Sequence, residues 1–168
     1  GSDVLVLEEV SDNEEIYAYE DFEDESLLSK DLGINIFLEP TIYKQVKDNN
    51  LESDLKKLII KIDKCLTSTN GALNFKSLGF KKYEGVGNNK IYGFDFNNKV
   101  NDSDRIIACF VDDYAKKNEF DFERYNNSQN KDKQGIILFS ITKHNDQERE
   151  AQKVSKRIIF MNTINSNM

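Results

Sequence analysis

The chain has 168 residues, 38% apolar and 32% charged, with a formal net charge of −7 and two cysteines. That length suits a single domain whose core needs no metal or disulfide support. It contains neither a run of about eighteen apolar residues nor a charged-then-apolar leader, so neither membrane insertion nor secretion is indicated, and a cytoplasmic protein is expected.

The charge is unevenly spread. Residues 1–31 hold twelve acidic residues against Lys30 alone, a net of −11, whereas residues 32–168 hold 22 basic and 18 acidic residues, a net of +4. Residues 1–32 therefore read as an acidic arm or hairpin, with β-prone Val4-Leu5-Val6-Leu7 and Ile16-Tyr17-Ala18-Tyr19 on either side of a polar break. Gly1-Ser2 reads as a cloning scar on a domain taken from a longer protein.

The body, residues 33–158, reads as α+β. Ile34 to Leu38 is a strand stopped by Pro40, the sole proline, and Thr41 to Lys47 a short helix. Leu51, Leu55, Leu58, Ile59, Ile62 and Leu66 recur at helical spacing, with Lys56, Lys57, Lys61 and Lys64 on the other side. Asn49, three residues before Glu52, looks like the cap of that helix, and Asn70-Gly71 like its end. Ile91 to Phe96 alternates, so Tyr92, Phe94 and Phe96 share one face. Arg105 to Val111 and Ile136 to Ile141 are nearly continuous apolar runs, as central strands covered on both sides should be. The polar link Asp112–Gln134 reads as a surface loop. Asn145 with Glu148 suggests a capping box for a last helix carrying Ala151, Val154 and Ile158, and residues 159–168 read as a frayed tail.

Most catalytic signatures are missing. Gly85-Val86-Gly87 lacks the third glycine and the context of a phosphate loop. A single histidine, His144, and no spaced Cys ligands argue against zinc, and no cofactor is indicated. Cys65 and Cys109 fall among apolar neighbours as reduced core thiols. Asp102-Ser103-Asp104 and Asp112-Asp113 are acidic pairs of the kind usually found in loops.

The order strand, short helix, long helix, three strands, terminal helix is similar to the RelE/ParE superfamily of bacterial toxins, in which a helical hairpin packs on an antiparallel sheet. Thr41-Ile42-Tyr43-Lys44 after the first strand, Ser103-Asp104-Arg105-Ile106-Ile107, and Ile136 through Thr142-Lys143-His144 carry the resemblance over about residues 33–155. It implies either messenger RNA cleavage or gyrase inhibition. RNA cleavage needs a base for the 2′-hydroxyl, a cation for the charge building on phosphorus and an acid for the leaving oxygen. Arg105 is the candidate charge stabiliser, and Lys143 and His144 the candidate second cation and proton shuttle. Lys81, Lys82, Lys90 and Tyr92 are the candidate RNA contacts. Each has a plainer reading: Arg105 paired with Asp102 or Asp104, His144 solvated, Tyr92 in the core.

The chain also departs from the active pattern. Gly93 and Asp95 stand where active relatives often place basic residues, and no Tyr follows His144. Two functions are expected: a RelE/ParE-like domain contacting RNA or the ribosome, either as an mRNA-cleaving ribonuclease or degenerate as one, whose basic surface the acidic arm covers; or a non-catalytic protein-interaction module of a larger protein, whose arm binds a basic partner or mimics nucleic acid.

Overall fold

The structure is a computed structural model of the chain and describes residues 17–18, 32–33, 35–67, 75–84, 90–110 and 135–166. Apart from Tyr17–Ala18 and Leu32, the acidic arm therefore lies outside the described residues, as do Ile34, Asn70-Gly71, Gly85-Val86-Gly87 and the Asp112–Gln134 link.

The strands are β1 (Tyr17–Ala18), β2 (Asn35–Leu38), β3 (Lys81–Lys82), β4 (Tyr92–Phe96), β5 (Asp104–Phe110) and β6 (Gly135–Lys143), and the helices are α1 (Pro40–Asp48), α2 (Glu52–Thr67) and α3 (Gln147–Ser166). A single turn of 3-10 helix, His144–Asp146, leads into α3. The six strands form one sheet in the order β1-β2-β6-β5-β4-β3. The class is α+β, as the sequence indicates.

The sheet is mixed, which corrects the expected antiparallel one: β2 and β6 pair in parallel, Ile36 opposite Ile136 and Leu38 opposite Leu138, while the other neighbours are antiparallel. Strand β3, only two residues long, carries no sequence signal of its own. It adds one more reversal of the chain between β2 and β6, and that extra reversal returns β6 in the direction of β2.

Pro40 does two things at this junction. It cannot continue the ladder of β2, and it opens α1 at the first helical positions, where a missing N–H costs nothing. The helix runs to Asp48. Asn49 does not cap α2 as expected; its side-chain amide donates to the Gln45 carbonyl at 2.9 Å and so finishes α1. Asn50, at φ 55°, then makes the left-handed step into α2. The connection is short, and the two helices contact each other.

The helical spacing of α2 buries Leu51, Leu55, Leu58, Ile59 and Ile62 against one face of the sheet, where they meet Ile36, Leu38, Phe94, Phe96, Ile106, Ala108, Ile136 and Leu138. The buried strand residues outside that cluster, Phe37, Ile107, Cys109, Ile137 and Phe139, point to the other face by strand alternation. There α3, which contacts β5 and β6, buries Ala151, Val154 and Ile158. The continuous apolar runs of β5 and β6 thus follow from burial on both sides. Helix α3 also continues past the expected end at 158, to Ser166, in place of the tail expected over 159–168; nothing between Ile159 and Ser166 is a glycine or proline that would stop it.

Two polar devices join the layers. Beyond Leu138 the free edge of β6 is closed by Gln45, whose amide donates to the Ile141 carbonyl at 3.0 Å and accepts from the Ile141 N–H at 2.7 Å. Arg157 on α3 forms an ion pair with Glu39, at the β2–α1 junction, and donates to Thr41 Oγ1 at 3.1 Å. Glu39 is 1% exposed. Arg157→Ala should therefore strand a buried carboxylate and lower stability by about 3–5 kcal/mol, whereas replacing both partners with apolar residues should cost much less. Chemical denaturation of the two variants checks the difference.

Candidate functional site

Arg105 is the second residue of β5, opposite Asp95 on β4 and Thr142 on β6. Alternation turns it, with Ile107 and Cys109, toward the α3 side. The guanidinium is only 5% exposed. Its Nη1 donates to Asp95 Oδ1 at 2.5 Å and its Nη2 to the Gly79 carbonyl at 2.8 Å. The partner is thus Asp95, not Asp102 or Asp104; the Asp104 carboxylate instead accepts from the Asn98 amide at 3.0 Å.

The turn that delivers the Gly79 carbonyl requires glycine. Gly79 has φ 64°, and a Cβ there would lie 2.7 Å from Asp95 Oδ1. The adjacent Leu78 carbonyl accepts from the Asp95 N–H at 2.8 Å. One carboxylate and one carbonyl therefore give each outer nitrogen of Arg105 one partner, while its buried Nε has none among the described residues.

Gly93 has a similar local cause. Tyr83 lies across it, so that a Cβ at Gly93 would sit 2.8 Å from two ring carbons. Tyr83 is 2% exposed and donates through its hydroxyl to Gln147 Oε1 at 2.8 Å, which ties the β3 edge to the start of α3. Gly93 and Asp95 are thus occupied for packing and for neutralising Arg105.

Lys143 ends β6 opposite Asp104, and alternation places it on the sheet face away from Arg105. His144 opens the 3-10 turn. Both are exposed, and with Asn101, Ser103, Asn145 and Asp146 they line a depression of about 530 Å³. Two of the three candidate catalytic residues therefore meet and the third stands apart. Asn145, expected to cap α3, lies within the 3-10 turn and on this wall.

The opposite wall is the β4–β5 turn, held by its own asparagines. Asn98 Oδ1 accepts from the N–H groups of Val100 and Asn101, each at 2.9 Å, and Asn101 Oδ1 accepts from the N–H and hydroxyl of Ser103, each at 3.0 Å. The Lys99 N–H donates to Asp54 Oδ2 at 3.1 Å, which fastens the turn to α2. Asn101 and Ser103 were not singled out as site residues by sequence; the Asn/Asp/Ser run between two strands marks a turn but not which wall it builds.

The candidate RNA contacts scatter. Lys81 and Lys82 are exposed on the edge strand β3, and Lys81 pairs with Glu148 at 3.4 Å and lies 5.3 Å from the Tyr83 ring. Lys90 is exposed just before β4. Tyr92 is half-buried, stacked on Phe80 at 5.0 Å and edge-on to Phe110 at 5.3 Å, with Phe94 and Phe96 buried beside it, so its ring belongs to an aromatic cluster of the core.

Among the described residues no three His, Cys, Asp or Glu side chains gather as a metal site, and no helix is long and apolar enough to cross a membrane. Cys65 and Cys109 are buried, and burial pushes the Cys65 thiol up, away from the reactive thiolate. Comparison with protein families, with curated proteins and with solved structures gives no match to this chain.

Chemically, the depression offers a cation, an imidazole, a hydroxyl and amides to an anion, open to solvent. The Arg105–Asp95 pair, which stands apart from it, is asymmetric. Asp95→Ala leaves the buried Arg105 charge uncompensated and should cost about 3–5 kcal/mol, whereas Arg105→Met leaves Asp95, which is 53% exposed, to be solvated and should cost distinctly less. Gly93→Ala should cost about 1–3 kcal/mol through the clash with Tyr83. Urea melts of the three variants test the ranking.

Proposed function

We propose that this is a RelE/ParE-like domain that contacts RNA or the ribosome in the cytoplasm through the depression at Lys143 and His144, without cleaving RNA. The observation that carries the reading is the state of Arg105. A cation that stabilises a phosphorane must reach the phosphate on the same face as the acid and base. Here the guanidinium is 5% exposed, is held by Asp95 and Gly79, and faces away from Lys143. Lys143 and His144 keep the chemistry of phosphate contact without that of transition-state stabilisation. The acidic arm supplies a competing polyanion in cis.

A second reading is favoured by one observation. Strand β1 pairs with β2, Tyr17 opposite Leu38 and Ala18 opposite Phe37, so part of the arm attaches to the body by backbone pairing. In that reading the protein is an interaction module whose arm binds a basic partner or mimics nucleic acid.

Anisotropy of a labelled single-stranded RNA decides between them. The first reading expects binding that falls steeply with salt, weakens about tenfold on Lys143→Glu with His144→Ala, and leaves the RNA intact on a denaturing gel after long incubation. Cleaved RNA overturns the non-catalytic reading. Salt-insensitive or absent RNA binding, together with loss of protein-partner capture on deleting residues 1–31, supports the module.

A further inference from the structure

A second basic feature stands on the other side of the β4–β5 turn from Lys143. Helix α2 carries Lys57 and Lys61 one turn apart, both exposed, and neither makes an ion pair among the described residues. They line a groove of about 310 Å³ between α2 and β4, with Ser77 and Asn97 also on its walls. Asn97 belongs to the turn whose later residues, Asn101 and Ser103, wall the Lys143–His144 depression. Exposed Lys99 lies between them on that turn.

The carboxylates along this line are mostly engaged. In the groove, Asp95 is paired with Arg105 and Asp54 accepts from the Lys99 N–H. Around the depression, Asp104 accepts from Asn98 and Asp146 is paired with Arg149 at 2.9 Å. Asp102, exposed on the turn, is the exception. The burial of Arg105 thus has an effect on the surface: its charge offsets Asp95, which would otherwise repel an anion from the groove.

We infer that the α2 groove and the Lys143–His144 depression are two ends of one track for single-stranded RNA, crossing the pinned β4–β5 turn, with Lys57 and Lys61 taking backbone phosphates. This rests on the RNA-contacting reading and extends its footprint. Lysines on flexible stems contact phosphates as point charges and read no sequence, so the track selects for a chain of phosphates and not for bases. The acidic arm is the weaker candidate occupant. Its described part, β1, is fixed at the edge of the sheet opposite β3, whereas α2 contacts β4.

The test measures anisotropy of fluorescein-labelled oligouridylates about six and about twenty nucleotides long across a potassium chloride series, with the full chain and two double variants. The Lys57→Ala, Lys61→Ala variant should bind the long RNA about tenfold more weakly and flatten its log–log salt slope by about 1.4, as loss of two single-strand phosphate contacts requires. The short RNA should bind within twofold of wild type. Equal effects on both lengths, or an unchanged slope, overturn the track. So does a polyglutamate of equal charge that displaces the long RNA as well as unlabelled oligouridylate does, because the groove would then take acidic peptides. If Lys143→Glu with His144→Ala weakens both RNAs while the α2 variant does not, the track fails and the depression stands. If only the α2 variant matters, the depression fails as the contact. Matching thermal melts confirm that the exposed substitutions leave the fold intact.

Discussion

Burying β5 and β6 on both faces constrains nearly everything else in this fold. A strand flanked by apolar layers can carry a polar side chain only where a partner is built for it. One layer comes from α1 and α2, which follow directly on β2; the other comes from α3 at the far end of the chain. Because β2 pairs with β6 on one side as well as with β1 on the other, the two ends of the body meet at one place. There Glu39 and Arg157 join the β2–α1 junction to α3 across the sheet, and Gln45 supplies the backbone partner that β2, ending at Leu38, cannot.

Arg105 shows the same constraint acting on charge. Its position on a doubly covered strand removes water from the guanidinium, and an isolated charge there would be very costly. Asp95 meets that cost because β4 is the neighbour of β5 and the register places the two residues opposite each other. Asp95 stays half in water, so the pair behaves as a neutral plug between the interior and the α2 groove. An arginine that looks available for phosphate chemistry in a linear reading is thereby committed to holding β4, β5 and the Gly79 turn together.

Polar chemistry accumulates instead at the end of the sheet where the central strands run out. The β4–β5 turn is built from residues whose side chains replace missing backbone partners, and Asn98 alone makes three such bonds and a fourth to the Asp104 carboxylate. This fastening gives the turn a fixed shape beside Lys143 and His144 without apolar packing, and it leaves Val100 at its tip 66% exposed. Both depressions use walls of this turn.

Much of the architecture was legible in the amino-acid sequence because it depends on period and on local stereochemistry. The stripe of α2, the alternation of Tyr92, Phe94 and Phe96, the apolar runs of β5 and β6, and the break at Pro40 all need only a few neighbouring residues to declare themselves. What failed depended on distant partners. Strand β3 is two lysines whose pairing exists only because β4 lies alongside, and missing it hid the chain reversal that makes β2 and β6 parallel. Asn49 had a helix on either side, and only the path of the chain assigned it to the first. The sequence by itself determined the other elements, the core faces and the uneven spread of acidic and basic residues along the chain. Tertiary structure alone decided that Arg105 spends its charge on Asp95 while Lys143 and His144 stay exposed, since strand register and sheet face belong to pairings made across the fold and not along the chain.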